Sequence, residues 1–145
     1  MVPDSTADST TDFTADATTT TDPSFATLDT GQRIAYTEYG DPDGAPLLFL
    51  HGTPGSRLLA SAFDSAAATA GVRLLALDRP GFGYSDPWPA RSITDAGRFV
   101  TAVLDDAGVD TAALVAFSGG SQHAVATAAT HADRVSTVDI VSGAT

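Results

Sequence analysis

The chain has no cysteine, which excludes a disulfide framework and a thiolate metal site. It has no lysine either, so its seven basic residues are all arginine, against 17 Asp and a single Glu. The net charge of −11 over 145 residues argues against nucleic acid and against anionic membrane surfaces as partners. No window of about 18 residues is apolar and free of charge, so no membrane span is expected. The opening Met1-Val2-Pro3-Asp4-Ser5 lacks a basic and then apolar leader, so no secretory signal is expected and a cytoplasmic location is the default. The three histidines, His51, His123 and His131, do not have metal-ligand spacing, and neither a metal nor a cofactor is expected. An Asp-rich, Lys-free surface is also the style of salt-adapted, halophilic proteins, whose self-repulsion high salt screens. A biased genome composition would give the same pattern.

What is present is enough for one domain with a real core, at 43% hydrophobic residues. Residues 1–24 hold five Asp, no basic residue and almost nothing apolar. Such a stretch cannot bury enough surface to offset its ordering entropy, and it reads as a disordered acidic leader before a core at 25–145. Two strand-like runs, Phe25 to Leu28 and Ile34 to Tyr39, flank the turn signal Asp29-Thr30-Gly31-Gln32. Leu47-Leu48-Phe49-Leu50 is a continuous apolar run, as expected of a strand buried on both faces. A helix fits Leu58 to Ala70, with Leu59, Phe63, Ala66 and Ala70 on one face and Gly71 as its stop. Val72 to Leu77 is the next buried strand. A second helix runs from about Thr94 to Ala107, with Ile93, Ala96, Val100, Val103 and Leu104 as its apolar stripe. The strand around Leu114, an alanine-rich helix to about His131 and a last strand Val135 to Val141 complete the chain. Strands alternating with helices imply an α/β fold: a mostly parallel sheet with helices on both faces. Chemistry in such sheets gathers at the carboxyl ends of the strands.

Three strand ends carry distinctive loops, and the last of them organises the rest. The strand ending at Phe117 runs directly into Ser118-Gly119-Gly120, and a helical pattern begins at once. A sharp strand-to-helix turn lifts one side chain above the end of a sheet, and the residues two before and two after it must be small. Ala116 and Gly120 fill those places around Ser118, with Ala116 where the full G-x-S-x-G pattern has glycine. Ser121 is the competitor, but His123 two residues on would clash in such a turn. A plainer role for Ser118 is to cap the following helix.

The segments His51-Gly52-Thr53-Pro54-Gly55, Asp78-Arg79-Pro80-Gly81-Phe82-Gly83-Tyr84-Ser85-Asp86 and Phe117-Ser118-Gly119-Gly120 resemble, in this order and spacing, the α/β-hydrolase superfamily. The similarity runs from about Phe25 to the end. It implies Ser118 as nucleophile and the backbone N–H groups of Thr53 and Gly119 as an oxyanion hole, each donor worth ~3 kcal/mol of barrier. It implies loop-supporting roles for His51, Gly52 and Asp78, and a small-molecule ester, amide or similar acyl substrate. A serine at the elbow speaks against the dehalogenase and epoxide-hydrolase branches, which use aspartate there. His123 reads as a packing residue, and His131 suits the end of its helix. A nucleotide-binding reading of Gly81-Phe82-Gly83 fails because Asp86 stands where the third glycine belongs.

In this superfamily the acid and the histidine follow the serine. Here no histidine follows His131 and no acid follows Asp139. The expectation is therefore a truncated fold, the N-terminal portion of a hydrolase ending after the strand that follows the elbow. A second chain carrying the missing half is a possible partner, and the alternative is a non-catalytic remnant or small-molecule binding module.

Overall fold

A computed structural model describes residues 22–143. All but the last three residues of the expected leader lie outside that range, and Ser24 already belongs to the first strand. The chain forms β1 (Ser24–Thr27), β2 (Arg33–Gly40), β3 (Ala45–Leu50), α1 (Asp64–Thr69), β4 (Val72–Leu77), α2 (Ala96–Asp106), β5 (Ala112–Phe117), α3 (Ser121–Thr130) and β6 (Val135–Val141). The six strands make one sheet in the order β1-β2-β4-β3-β5-β6. β3, β4, β5 and β6 run parallel, and the β1–β2 hairpin joins antiparallel to β4 through β2. The α/β reading and its alternation of strand and helix are those of the structure.

Alternate residues of each central strand go to opposite faces. Leu48 and Leu50, Leu75 and Leu77, and Leu114 and Ala116 join Phe99, Val100, Val103 and Leu104 of α2 and Ala124 of α3 in the larger core. Phe49, Leu74 and Ala76 face the other way, onto Ala60 and Ala67. That second layer is thin. Beside it lies an apolar groove of about 630 Å³, lined among others by Phe49, Leu59, Phe63, Val115, Phe117 and Val141. Among the described residues β6 pairs with β5 alone, and Ile140 and Val141 are exposed.

The helix expected over Leu58 to Ala70 is the main local difference. Arg57–Phe63 forms a 3-10 helix and only Asp64–Thr69 is α-helical. The buried residues of the first part, Arg57 and Ala60, are three apart, which matches three residues per turn. Asp64 is fixed where the α-helix starts, because its Oδ1 accepts from the Gly40 N–H at 2.7 Å. With Arg57 drawn inward, Leu59 and Phe63 are left on the exposed side, and Ala66 and Ala70 are exposed too. The α2 stripe is buried as expected except for Ile93, which sits in a 3-10 turn (Ile93–Asp95) closed by a capping box between Ser92 and Asp95.

Candidate active site

The carboxyl ends of β3, β4 and β5 lie side by side and carry His51, Asp78 and Ser118. Ser118 has φ of +48°, a left-handed conformation that costs a non-glycine residue about 1–3 kcal/mol. The chain tolerates it because β5 must turn within three residues into α3. Gly120 shows how tight that turn is. A Cβ there would come 2.4 Å from the carbonyl oxygen of Leu50 and 2.8 Å from that of His51. No side-chain cap bond links Ser118 to α3, so the capping role is not seen. Ser121 is buried, and its hydroxyl donates to the Ser118 carbonyl at 2.7 Å.

The loop after β3 lies against this elbow. A Cβ on Gly119 would sit 2.9 Å from Thr53 Oγ1 and 3.4 Å from the Thr53 nitrogen, so the backbones of Thr53 and Gly119 are neighbours. A Cβ on Gly52 would be 3.2 Å from Ser118 Cβ and from the Phe117 oxygen. The absence of a side chain at Gly52 therefore serves the packing of loop on elbow.

His51 is fully buried, and both of its ring nitrogens are used. Nε2 accepts from the Arg79 backbone N–H at 3.0 Å, so Nδ1 carries the proton and donates to the Gly52 carbonyl at 2.7 Å. Burial pushes its pKa below the usual histidine value, which keeps the ring neutral. His51 thus pins the β3 loop to the β4 loop. Asp78 does the same for the β4 end. Its Oδ1 accepts from the Arg57 N–H at 2.7 Å, and its Oδ2 accepts from Arg57 Nη1 at 2.8 Å and from the Tyr84 N–H at 3.0 Å. Arg57 and Asp78 form a buried ion pair with side chains 2% and 0% exposed.

Two functional neighbours escape a reading of the sequence alone. Arg57 looks like a surface residue before an apolar run, and nothing local marks it as the partner of Asp78. Arg79 is 4% exposed and its Nη2 donates to the Gly52 carbonyl at 3.0 Å and to Thr53 Oγ1 at 2.6 Å. The only sequence signal for Arg79 is its place directly after a strand-end aspartate.

His123 lies on the first turns of α3, with Nδ1 donating to the Gly119 carbonyl at 3.2 Å and its ring near Phe99. Burial, assisted by the charge of Arg79, pushes its pKa down to about 4. Because the unfolded chain titrates near 6.5, it takes up a proton that the folded chain refuses. Stability is therefore expected to fall as pH drops from about 6.5 toward 4, by this group's contribution. Urea midpoints across that range should show a shallower pH slope for His123→Gln than for the parent. Equal slopes would contradict the assignment. His131 ends α3 and shares a hydrogen bond with Thr130 Oγ1 at 2.8 Å, remote from the elbow.

A parallel sheet bearing a strained elbow at the end of β5, with a glycine loop packed on it, defines a hydrolase-type scaffold. The chain belongs to the alpha/beta hydrolase fold family, which it matches over residues 45–144. It is 36% identical over 119 residues to the 2-hydroxy-6-oxononadienedioate/2-hydroxy-6-oxononatrienedioate hydrolase of Burkholderia vietnamiensis, a match covering 78% of this chain and 41% of that protein. An N-acyl homoserine lactone degrading enzyme of known structure is 31% identical, with a TM-score of 0.74 over 84% of this chain and 46% of that one. An epoxide hydrolase from an endophytic Streptomyces is also 31% identical, with a TM-score of 0.70 over 81% of this chain and 36% of that one. The chain thus spans less than half the length of each of these relatives. No helix among the described residues is long and apolar enough to cross a membrane.

Proposed function

We propose that the chain supplies the nucleophile and oxyanion hole of a cytoplasmic serine hydrolase acting on small ester, amide or related acyl substrates. The reading rests on one juxtaposition: Ser118 at φ +48° with the Thr53 and Gly119 backbones beside it. In this scheme Ser118 Oγ attacks the acyl carbon and gives its proton to a base. The carbonyl oxygen takes up the negative charge against the Thr53 and Gly119 N–H groups. The leaving group departs with a proton, and water then hydrolyses the acyl-serine. We further propose that the base and its orienting carboxylate lie in polypeptide matching the rest of the relatives' length, on this chain's continuation or on a second chain. Both nitrogens of His51 are engaged in loop bonds, and half-buried His123 bonds Gly119 through Nδ1, with no hydrogen bond joining either ring to Ser118 among the described residues. The same observation favours the second reading, a binding module of this fold without turnover.

The overall likeness extends to an epoxide hydrolase, so the residue at the elbow decides the chemistry. The test is to complete the chain with the C-terminal remainder of the Burkholderia relative and offer it a p-nitrophenyl ester and an epoxide. Ester turnover with a burst of nitrophenol and no epoxide opening is expected. Epoxide opening, or ester binding without turnover, would overturn the reading.

A further inference from the structure

The chain holds 18 carboxylates for seven arginines, so a cation without a counter-charge is conspicuous. Arg33, Arg57, Arg73, Arg98 and Arg134 each reach a carboxylate oxygen at 2.6–3.7 Å. Among the described residues Arg79 and Arg91 reach none. Arg79 lies at the end of the sheet that carries Ser118, bonded to Gly52 and Thr53 of the loop on the elbow. Arg79 is 4% exposed, stacked on the Phe82 ring at 4.6 Å, and its Nε has no hydrogen-bond partner. Arg91 is half-buried, with only its Nη1 donating, to the Trp88 carbonyl at 2.9 Å.

A buried guanidinium with an orphaned N–H is costly unless something compensates it. Burial, and then the charge of Arg91, hold the Arg79 pKa below its ordinary value, and both arginines act on His123 in the same sense. Like charges that act on one another are destabilising, and an anion received beside Arg79 relieves both. Asp78 is not that anion, since its oxygens serve Arg57 and Tyr84. Asp86 lies with Arg33.

Thr53 connects this charge to the elbow. Its hydroxyl accepts from Arg79 Nη2 at 2.6 Å, so its own proton must point elsewhere, and it donates to no group among the described residues. The same oxygen lies over Gly119. We propose that Arg79, Arg91 and the Thr53 hydroxyl form an anion site beside Ser118, and that the acyl substrate carries a carboxylate received there. Thr53 Oγ–H is the direct donor, Arg79 orients it through the Nη2–Oγ1 bond, and Arg91 adds charge. This rests on the reading that the Ser118 end of the sheet is the acyl site.

Anion binding needs no catalytic base, so the 145-residue chain itself can be tested. Benzoate is titrated at low salt and followed through the amide NMR signals, with benzamide as the neutral isostere. Benzoate should move the Thr53 and Gly119 signals and benzamide should not. Arg91→Gln should weaken benzoate roughly tenfold, the scale of one charge-assisted contact. Arg79→Gln should do so at least as strongly, with partial recovery in Arg79→Lys. If the Arg79 variants lose their fold by circular dichroism, the half-buried Arg91 decides alone. Equal binding of benzamide, no response to benzoate, or unchanged affinity in Arg91→Gln would overturn the proposal. Ser118→Ala should bind benzoate like the parent, so failure of the nucleophile assignment and failure of the anion site are told apart.

Discussion

Asp78→Ala is expected to cost the fold about 3–5 kcal/mol, the usual loss when one member of a buried ion pair is removed. Three donors lose their acceptor together: the Arg57 N–H, Arg57 Nη1 and the Tyr84 N–H. The two Arg57 bonds are buried, where water cannot replace the carboxylate, and the Asp78 side chain is 0% exposed. With total stability of a domain near 5–15 kcal/mol, the variant should be largely unfolded in mild urea. Arg57→Met combined with Asp78→Leu should recover part of the loss, because it removes the desolvated charges along with the bonds. Asp29→Ala is the contrast. Its ion pair with Arg98 is short at 2.8 Å, but the Asp29 side chain is 79% exposed, and the change should be under about 1 kcal/mol. Urea unfolding of the three variants measures the difference. A loss below about 1 kcal/mol for Asp78→Ala would mean that the pair does not hold the β3 and β4 loops together.

The second large effect concerns reactivity. A fluorophosphonate should label the isolated chain roughly 10²–10⁴-fold more slowly than the same chain completed by the C-terminal remainder of a relative, the factor that a positioned base contributes. Among the described residues no histidine is hydrogen-bonded to Ser118. His51 uses both nitrogens in loop bonds, His123 turns Nδ1 to Gly119, and His131 lies at the far end of α3, about 15 Å along a ten-residue helix. The proposed oxyanion hole would by itself still leave residual reactivity, since triad-stripped serine hydrolases keep roughly 10³–10⁴-fold over water. Among the described residues the outer edge of β6 is unpaired, with Ile140 and Val141 exposed, which should also make the isolated chain associate, and completion should suppress that. Labelling of the isolated chain as fast as the completed one would mean that His51 or His123 acts as base.

Much of this was legible in the residues because strand ends and turns are written locally. The β6 bounds, the hairpin around Gly31 and the burial of β3 and β4 follow from apolar runs and turn residues that need no distant partner. The preference for Ser118 over Ser121 rested on the size of the flanking residues, and Gly120 meets the Leu50 and His51 carbonyls at distances no Cβ allows. The support roles of His51 and Asp78 were implied by the family resemblance, but their partners were not. Arg57 and Arg79 are buried by contacts 20 to 28 residues away in sequence, and an arginine beside a loop gives no sign that it is internal. The same blindness misplaced the helix after the β3 loop. Leu59 and Phe63 set an apolar period, yet the buried Arg57 and Ala60 set the turn.

The central claim is that Ser118 is the reacting atom's residue, and the site of covalent modification tests it most directly. Peptide mass spectrometry of the completed, fluorophosphonate-treated protein should find the adduct on Ser118. It should vanish in Ser118→Ala and persist in Ser121→Ala. An adduct on Ser121, or one that survives Ser118→Ala, would contradict the account.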